Sequence, residues 1–432
     1  LNCLLDCHAI RVAPNELHIT DPTLYKTIYS QTGEFFKDPT FYVAFGISHT
    51  VFGETNPAKH KVRRRMLNSY FSHNAIAAIQ PVILESLAEV SQRLAKRNSN
   101  IPLNIHGLSR SLTTDVISKY SFGSSLDIVK TCDEDFTPTS SIITAFDATG
   151  PFIYPRAYQP TVRWLSDLIP IFIAIRLSPA VKTVQAFIHE CGKTCRAYKE
   201  SNIKASNPLI FEGLENLSER EMAEESANIL AAGSDTTAYT LTFACQQLCQ
   251  NPEMMKRLAM EVDVAYRATP GQQPALKDLE SIPYLGAVVK EAVRLATAVP
   301  ARLPRVVPST LKTPLIVDNK VVPVGTVVGM SAYAMHRNKE LWGMDASTFN
   351  PDRWLRDDSK GLMNNMVSFS KGLRSCIGQN LALAELHIVL AYLAHEYDMS
   401  VATHATTMEK YDGFTTHLKS PVLVNLRSRH NR

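Results

Sequence analysis

No apolar run in this sequence approaches the roughly 20 residues that a membrane-spanning helix needs. The longest, Leu168–Ile175, is eight residues long and carries Pro170 within it. Cysteine is scarce: 8 in 432 residues exclude a disulfide scaffold and fit reduced thiols in a cytosol-facing protein. An excess of either charge is nearly missing. Forty-five basic against 41 acidic residues leave +4, too little for a protein that holds nucleic acid by electrostatics. Glycine (18) and proline (24) form no linker or low-complexity tract, and no internal repeat is present. The first residue is Leu1, and no charged-then-apolar signal pattern follows it, so the start reads as truncated or processed. With 45% hydrophobic and 20% charged residues the chain is neither disordered nor collagen-like. At about 150 residues per domain its length admits roughly three domains.

Helical periodicity dominates. Apolar positions three and four apart predict helices over 59–70, 76–97, 105–121, 180–202, 219–249, 253–267, 284–296 and 377–396. The longest begins at a Ser218/Glu221 capping box and stops before Asn251-Pro252. At more than thirty residues it is on the order of 45 Å long, enough to cross a whole domain. Strand signals are few: 9–20 reads as a hairpin, and 314–331 as another turning at Asp318-Asn319. The fold class is mainly α, with small β-sheets at the edge and a long central helix.

The most informative segment is FSKGLRSCIG, 369–378, followed by a helical run. Cys376 sits just before that helix, where amide N–H groups and the helix dipole favour a thiolate. Gly372 permits a tight turn ahead of the cysteine, and Gly378 lets the helix start lie against something flat. A lone cysteine is otherwise a small buried hydrophobe. As a nucleophile it lacks a base, since His387 is eleven residues on, roughly 16 Å along the helix. Phe369, Gly372, Arg374, Cys376 and Gly378 together resemble the haem-ligand loop F-x-x-G-x-R-x-C-x-G of the cytochrome P450 monooxygenases. The resemblance implies haem b as cofactor, with Cys376 as its iron ligand.

Three other segments resemble that family's motifs in the family's order. Glu291 and Arg294, i and i+3 on one helix, read alone as a solvated pair. Their apolar neighbours argue for burial, and a buried pair needs a further partner. The resemblance supplies one, Arg353 in the FNPDRW segment 349–354, making a structural network with no catalytic part. Ala232-Gly233-Ser234-Asp235-Thr236-Thr237 lies inside the longest helix. Its plain reading is close helix–helix packing with hydroxyls bonded back one turn. Resemblance to the oxygen-activation motif implies that Thr236 and Asp235 relay protons and that Gly233 leaves room for oxygen. The basic run Lys59–Arg65 is by itself a solvated positive face. By resemblance His60 and Arg64, with Arg305 and Arg374, bind the haem propionates, while Lys61 and Arg65 attract an acidic electron donor.

The resemblance spans residues 11 to the C-terminus and is strongest to fungal microsomal members, within them to the trichodiene-oxygenase-like biosynthetic group. It implies one domain over 1–432 rather than three, with 1–10 an atypical leading segment. It further implies a lipophilic small-molecule substrate, dioxygen, and electrons from NADPH through NADPH-cytochrome P450 reductase. The implied place is the cytosolic face of the endoplasmic reticulum membrane, with the N-terminal anchor absent from this chain. The chemistry would be hydroxylation or epoxidation. The competitors are a haem-thiolate isomerase or dehydratase that uses no oxygen, and a non-catalytic haem- or lipid-binding product. Cys191/Cys195 and Cys245/Cys249 read as packed free thiols. Cys3 and Cys7 fall in the atypical leading segment. The segment 164–177 has two readings, ordinary core or a membrane-touching substrate entrance. Pocket-forming stretches implied by family position are 40–56, 153–177, the turn before Gly233, 297–303 and 410–416.

Overall fold

A computed structural model describes residues 8–30, 32, 34–200, 208–402 and 408–430. Cys3 and Cys7 lie outside these. The principal helices are α1 (Pro57–Leu67), α2 (Gln80–Lys96), α3 (Ile105–Phe122), α4 (Ser141–Tyr158), α5 (Pro160–Leu168), α6 (Ile171–Leu177), α7 (Pro179–Glu200), α8 (Glu219–Gln250), α9 (Pro252–Ala268), α10 (Pro283–Ala296) and α11 (Gln379–Glu396). Each of the eight periodic stretches contains a helix among the described residues. The stretch over 76–97 is divided, His73–Ala78 then α2, because Pro81 near the start of α2 has no N–H to continue the preceding helix. Helices α4 to α6 escape the periodicity, since α4 carries Pro151 and Pro155 in its interior and Pro160 and Pro170 set the next two starts.

Helix α8 is the axis of the molecule. Its capping box is formed in both directions: the Ser218 hydroxyl accepts from the Glu221 N–H, and the Ser218 N–H donates to the Glu221 carboxylate. Twenty-one of its 32 residues are buried, so it is surrounded rather than amphipathic. Helices α3, α7, α10 and α11 pack around it. Cys191, Cys195, Cys245 and Cys249 are buried free thiols in these contacts, as expected of packing residues.

Five short strands form the largest sheet. In chain order they are β1 (Ala9–Ala13), β2 (Glu16–Ile19), β3 (Phe36–Lys37), β4 (Arg305–Val306) and β5 (Val327–Gly329), and in space they run β1-β2-β5-β4-β3. Both predicted hairpins exist. The second closes through Asp318 (φ 50) and Asn319 (φ 60), the left-handed pair a two-residue turn requires. At the sheet's far edge the antiparallel pairing of β3 with β4 sets Lys37 directly opposite Arg305, two cations in register.

The segment 164–177 is not core. Trp164 (63% exposed), Phe172 (60%), Leu168 and Leu177 all face outward from α5 and α6.

Candidate active site

The loop before α11 is built around backbone, not side chains. The Cys376 N–H donates to the Phe369 carbonyl at 2.8 Å, closing the loop, and Ser370 takes a left-handed φ of 54 inside it. Gly372 has φ 73, and a Cβ there would stand 2.2 Å from the Ser30 carbonyl oxygen. Only glycine makes that turn. At Gly378 a Cβ would meet only the Cys376 sulfur, at 4.0 Å, so the face beside the thiol is open. Cys376 is reachable by solvent although protein encloses it, which means its Sγ fronts an internal space. In the protein alone burial pushes the thiol up; the Gly378 amide and the Arg64 charge oppose this without overcoming it. A bound metal cation would favour the thiolate.

Around that space basic groups gather, with Glu54 the carboxylate that acts on Arg374 from beyond ion-pair distance. His60, buried on α1, feels Arg374, Lys37, Arg64 and Arg305, and burial with these charges pushes it down to about 3. Burial likewise lowers Arg374 to about 10, with Arg305 and Arg64 adding to the effect. Lys37, 5% exposed, is held well below the usual lysine range by burial and then by Arg305 and Arg374. Its ammonium lies 4.0 Å from the Tyr42 ring and 4.4 Å from the Phe52 ring, and it donates to the Phe52 carbonyl. Arg64 donates to the Ser375 carbonyl, Arg374 to the Glu54 carbonyl, and Arg305 to the Tyr42 hydroxyl and the Leu303 and Pro304 carbonyls. Among the described residues none of Lys37, Arg64, Arg305 and Arg374 has a carboxylate partner within 4.0 Å, whereas the interior Arg110, Arg294 and Arg353 each have one. Like charges placed directly opposite across two strands repel. The β3–β4 pairing that creates this group joins residues about 270 apart in sequence. Sequence reasoning gathered His60, Arg64, Arg305 and Arg374 but missed Lys37, because nothing local marks a lysine whose role is set by strand pairing.

On α8, Ala232 is the one exposed residue between Glu221 and Gln250, so the helix opens onto interior space there. Thr236 donates its hydroxyl to the Ala232 carbonyl at 2.9 Å, the back-bonding expected of the motif. At Gly233 a Cβ would stand 2.7 Å from Cγ1 of Ile117 on α3, so its smallness also serves the α3–α8 contact. Asp235 is not free. Arg110 of α3 donates from Nε to its Oδ1 at 2.8 Å and, through its other two nitrogens, to both Asp147 oxygens at 2.8 and 3.1 Å. Arg110 was invisible in the sequence, where an arginine in a helix reads as surface.

Glu291 is the most heavily bonded carboxylate of the described residues. It accepts from Arg294 at 2.8 and 2.9 Å, from Arg353 at 3.0 Å, from the Asn350 N–H at 2.9 Å and from the Trp354 indole at 2.9 Å. Glu291 and Arg294 are 0% exposed and Arg353 is 2% exposed. Arg294 also donates to the His336 and Ala346 carbonyls, and Arg353 to Trp342 and Asp345. Buried charge is tolerated because nearly every donor and lone pair is used. Trp354 contributes an indole N–H to that set.

Four of the five expected pocket stretches meet in an aromatic cluster. Phe41, Phe45 and Phe52 pack with Phe414, and Ile153, Ala157 and Ala301 close around them. Beside it a cavity of about 660 Å³ is lined by Tyr154, Tyr158, Thr297, Ala301, Lys410 and Thr416 among others.

Residues 14–424 match the model of the cytochrome P450 family, and the chain belongs to that family. It is 29% identical over 98% of its length to the cytochrome P450 monooxygenase phqM of Penicillium fellutanum, of which 80% is covered. It is 30% identical over 90% of its length to the cytochrome P450 monooxygenase tpcC of Cochliobolus heterostrophus, of which 75% is covered. The similarity to macH of Penicillium terrestre is 29% over 94% of this chain and 80% of that protein. The chain is accordingly an oxidoreductase of the monooxygenase kind. The family implies a haem whose iron takes a thiolate ligand, and the residues fit that group: an interior thiol with an open face, beside a cluster of basic side chains that have no ion-pair partner within 4.0 Å among the described residues.

Proposed function

We propose that this chain inserts one oxygen atom of O2 into a C–H bond of a lipophilic small molecule, in fungal secondary-metabolite biosynthesis of a terpenoid-like kind. The observation that carries the reading is the Lys37–Arg305 pairing with Arg64 and Arg374 around it, basic groups suited to two propionates beside a thiol, with His60 among them as an uncharged hydrogen-bonding ring. Cys376 would ligate the iron, and those five residues would hold the propionates, within one domain spanning the chain. Bound haem supplies oxygen activation, with electron density from the thiolate favouring O–O cleavage.

The protein's own part is positional. Glu291, Arg294 and Arg353 brace the loops that carry the thiol, and Phe369, Gly372 and Gly378 shape its approach. Thr236 keeps its hydroxyl proton on the Ala232 carbonyl and can swing it toward the opening at Ala232. Asp235, aimed between uses by Arg110 at 2.8 Å, would part from it, take up a proton from solvent and pass that proton to Thr236. The aromatic cluster excludes water and receives an apolar skeleton. Electrons come from NADPH through NADPH-cytochrome P450 reductase, drawn by Lys61 and Arg65, both on the outer face of α1. The outward apolar face of α5 and α6 lies on a membrane, which suits the cytosolic face of the endoplasmic reticulum and delivers substrate to the cavity. No nucleic acid is involved.

The test supplies the purified holoprotein with reductase, NADPH, labelled O2 and a panel of terpenoid substrates. Product carrying one labelled atom, formed only with NADPH, supports the proposal. Turnover that persists without O2 and NADPH would overturn it in favour of an isomerase or dehydratase.

A further inference from the structure

Away from the thiol loop, α11 ends beside the strand Leu423–Ser428, and three side chains that the reaction does not use converge there. His395, Glu396 and His430 each bring one ligand atom to within 4.8 Å of the other two. His395 Nε2 is 4.0 Å from Glu396 Oε1, and His430 Nε2 is 3.5 Å from Glu396 Oε2. These gaps exceed the roughly 2.7–3.2 Å of a nitrogen–oxygen hydrogen bond. Both are somewhat longer than the edge, about 3.4 Å, of a tetrahedron with bonds of about 2.1 Å, so the side chains would draw in on an ion between them. The atoms surround a common point instead of bonding to one another.

The support behind them is already in place. His395 Nδ1 lies 2.7 Å from Asp263 Oδ1, and its ring stacks on Tyr266 at 3.9 Å and 17°. Donating the Nδ1 proton to that carboxylate leaves the Nε2 lone pair facing Glu396 and His430, the arrangement that orients histidines on metal ions. Asp263 is fixed in turn by Arg429 at 2.8 and 3.1 Å, and Arg429 also donates to the Ala394 and His395 carbonyls. The Arg429 N–H donates to the Glu396 carbonyl at 2.9 Å, which delivers His430 next to Glu396. A cavity of about 400 Å³ lined by Asp263, Arg267, His395, Asp398, Arg429 and His430 gives access. With Glu396, three carboxylates stand there against two guanidiniums, leaving net negative charge for a cation.

We propose that His395, Glu396 and His430 form a divalent-metal site of the zinc class, with water completing four ligands. Two imidazoles select zinc, copper or nickel over magnesium and calcium. A metal there clasps the end of α11 to the last strand, and Asp263 is its positioning residue. The probe is zinc itself, titrated calorimetrically into chelator-treated holoprotein. The expected result is one zinc per chain, at least 10-fold weaker in His430→Ala and Glu396→Gln and about 10–100-fold weaker in Asp263→Asn. Both ligand variants should keep the haem spectrum of the parent protein, and magnesium should give no heat. Zinc should raise the unfolding temperature of the parent and not of His430→Ala. Crystals soaked in zinc should show an anomalous peak at its absorption edge between the three side chains. An isotherm that is absent, or unchanged in both ligand variants, would overturn the assignment, as would a peak elsewhere with none here.

Discussion

Replacing Glu291 by glutamine keeps the shape of the side chain and removes its charge. In the native protein its two oxygens take five hydrogen bonds, three of them from guanidiniums that are at most 2% exposed. The amide presents one oxygen to those donors and turns an NH2 toward the others, so Arg294 and Arg353 lose their shared counter-charge. Breaking a buried pair in this way costs about 3–5 kcal/mol. Total stabilities run about 5–15 kcal/mol, so the loss is a large share. With a urea dependence of about 3 kcal/mol per molar, the unfolding midpoint drops by about 1–1.7 M. Lys193→Ala is the control, because its Glu190 pair is more than half exposed on both sides and worth well under 1 kcal/mol. Far-UV circular dichroism in urea reads both, and haem content of the purified Glu291→Gln protein should fall with its midpoint. A Glu291→Gln midpoint that moves no further than that of Lys193→Ala would refute the reasoning.

Lys37→Met should weaken haem retention by about tenfold or more, while leaving the apoprotein as stable as before, since it removes a buried charge that faces Arg305 and Arg374; haem transfer to apomyoglobin and urea melts check the two halves. Gly372→Ala should destabilise even the apoprotein, by about 1–3 kcal/mol for a left-handed alanine plus the clash with Ser30. Gly378→Ala, whose Cβ meets only the Cys376 sulfur, should leave apoprotein melts unchanged and impair haem loading alone. Acid should weaken the apoprotein through His60, His106 and His336, each pushed by burial to about 3 from 6.5. Between those values the unfolded chain takes up protons that the folded one refuses, so stability falls as pH drops from about 6.5 to 3, by about 1.4 kcal/mol per pH unit for each fully affected histidine. Above pH 6.5 these groups contribute no slope, and urea midpoints at pH 7.5, 6 and 5 read the difference.

The helices were legible because their signals are local: the Ser218/Glu221 box, the stop at Pro252 and the apolar spacing all act within a few residues. Glu291 and Arg294 were legible as a pair for the same reason, and the loop around Cys376 because its glycines and cysteine sit within ten residues. Lys37 and Arg110 were not. One acquires its role by strand pairing with Arg305, the other by helix packing that brings it to Asp235, and neither partner is near in sequence. Gly233 carries a second demand that its motif does not show: Ile117 on the facing helix leaves no space for a Cβ there. Helix α4 was hidden by its own prolines, which break the local pattern although packing against α7 sustains the helix.

The most direct measurement is the absorption spectrum of the purified, dithionite-reduced holoprotein under carbon monoxide, taken for the parent chain and for Cys376→His. The parent should give the red-shifted band of a thiolate-ligated haem, and Cys376→His should give the shorter-wavelength band of a histidine-ligated one. A thiolate band that survives in Cys376→His, or its absence from the haem-loaded parent, would contradict the assignment of Cys376 as the iron ligand.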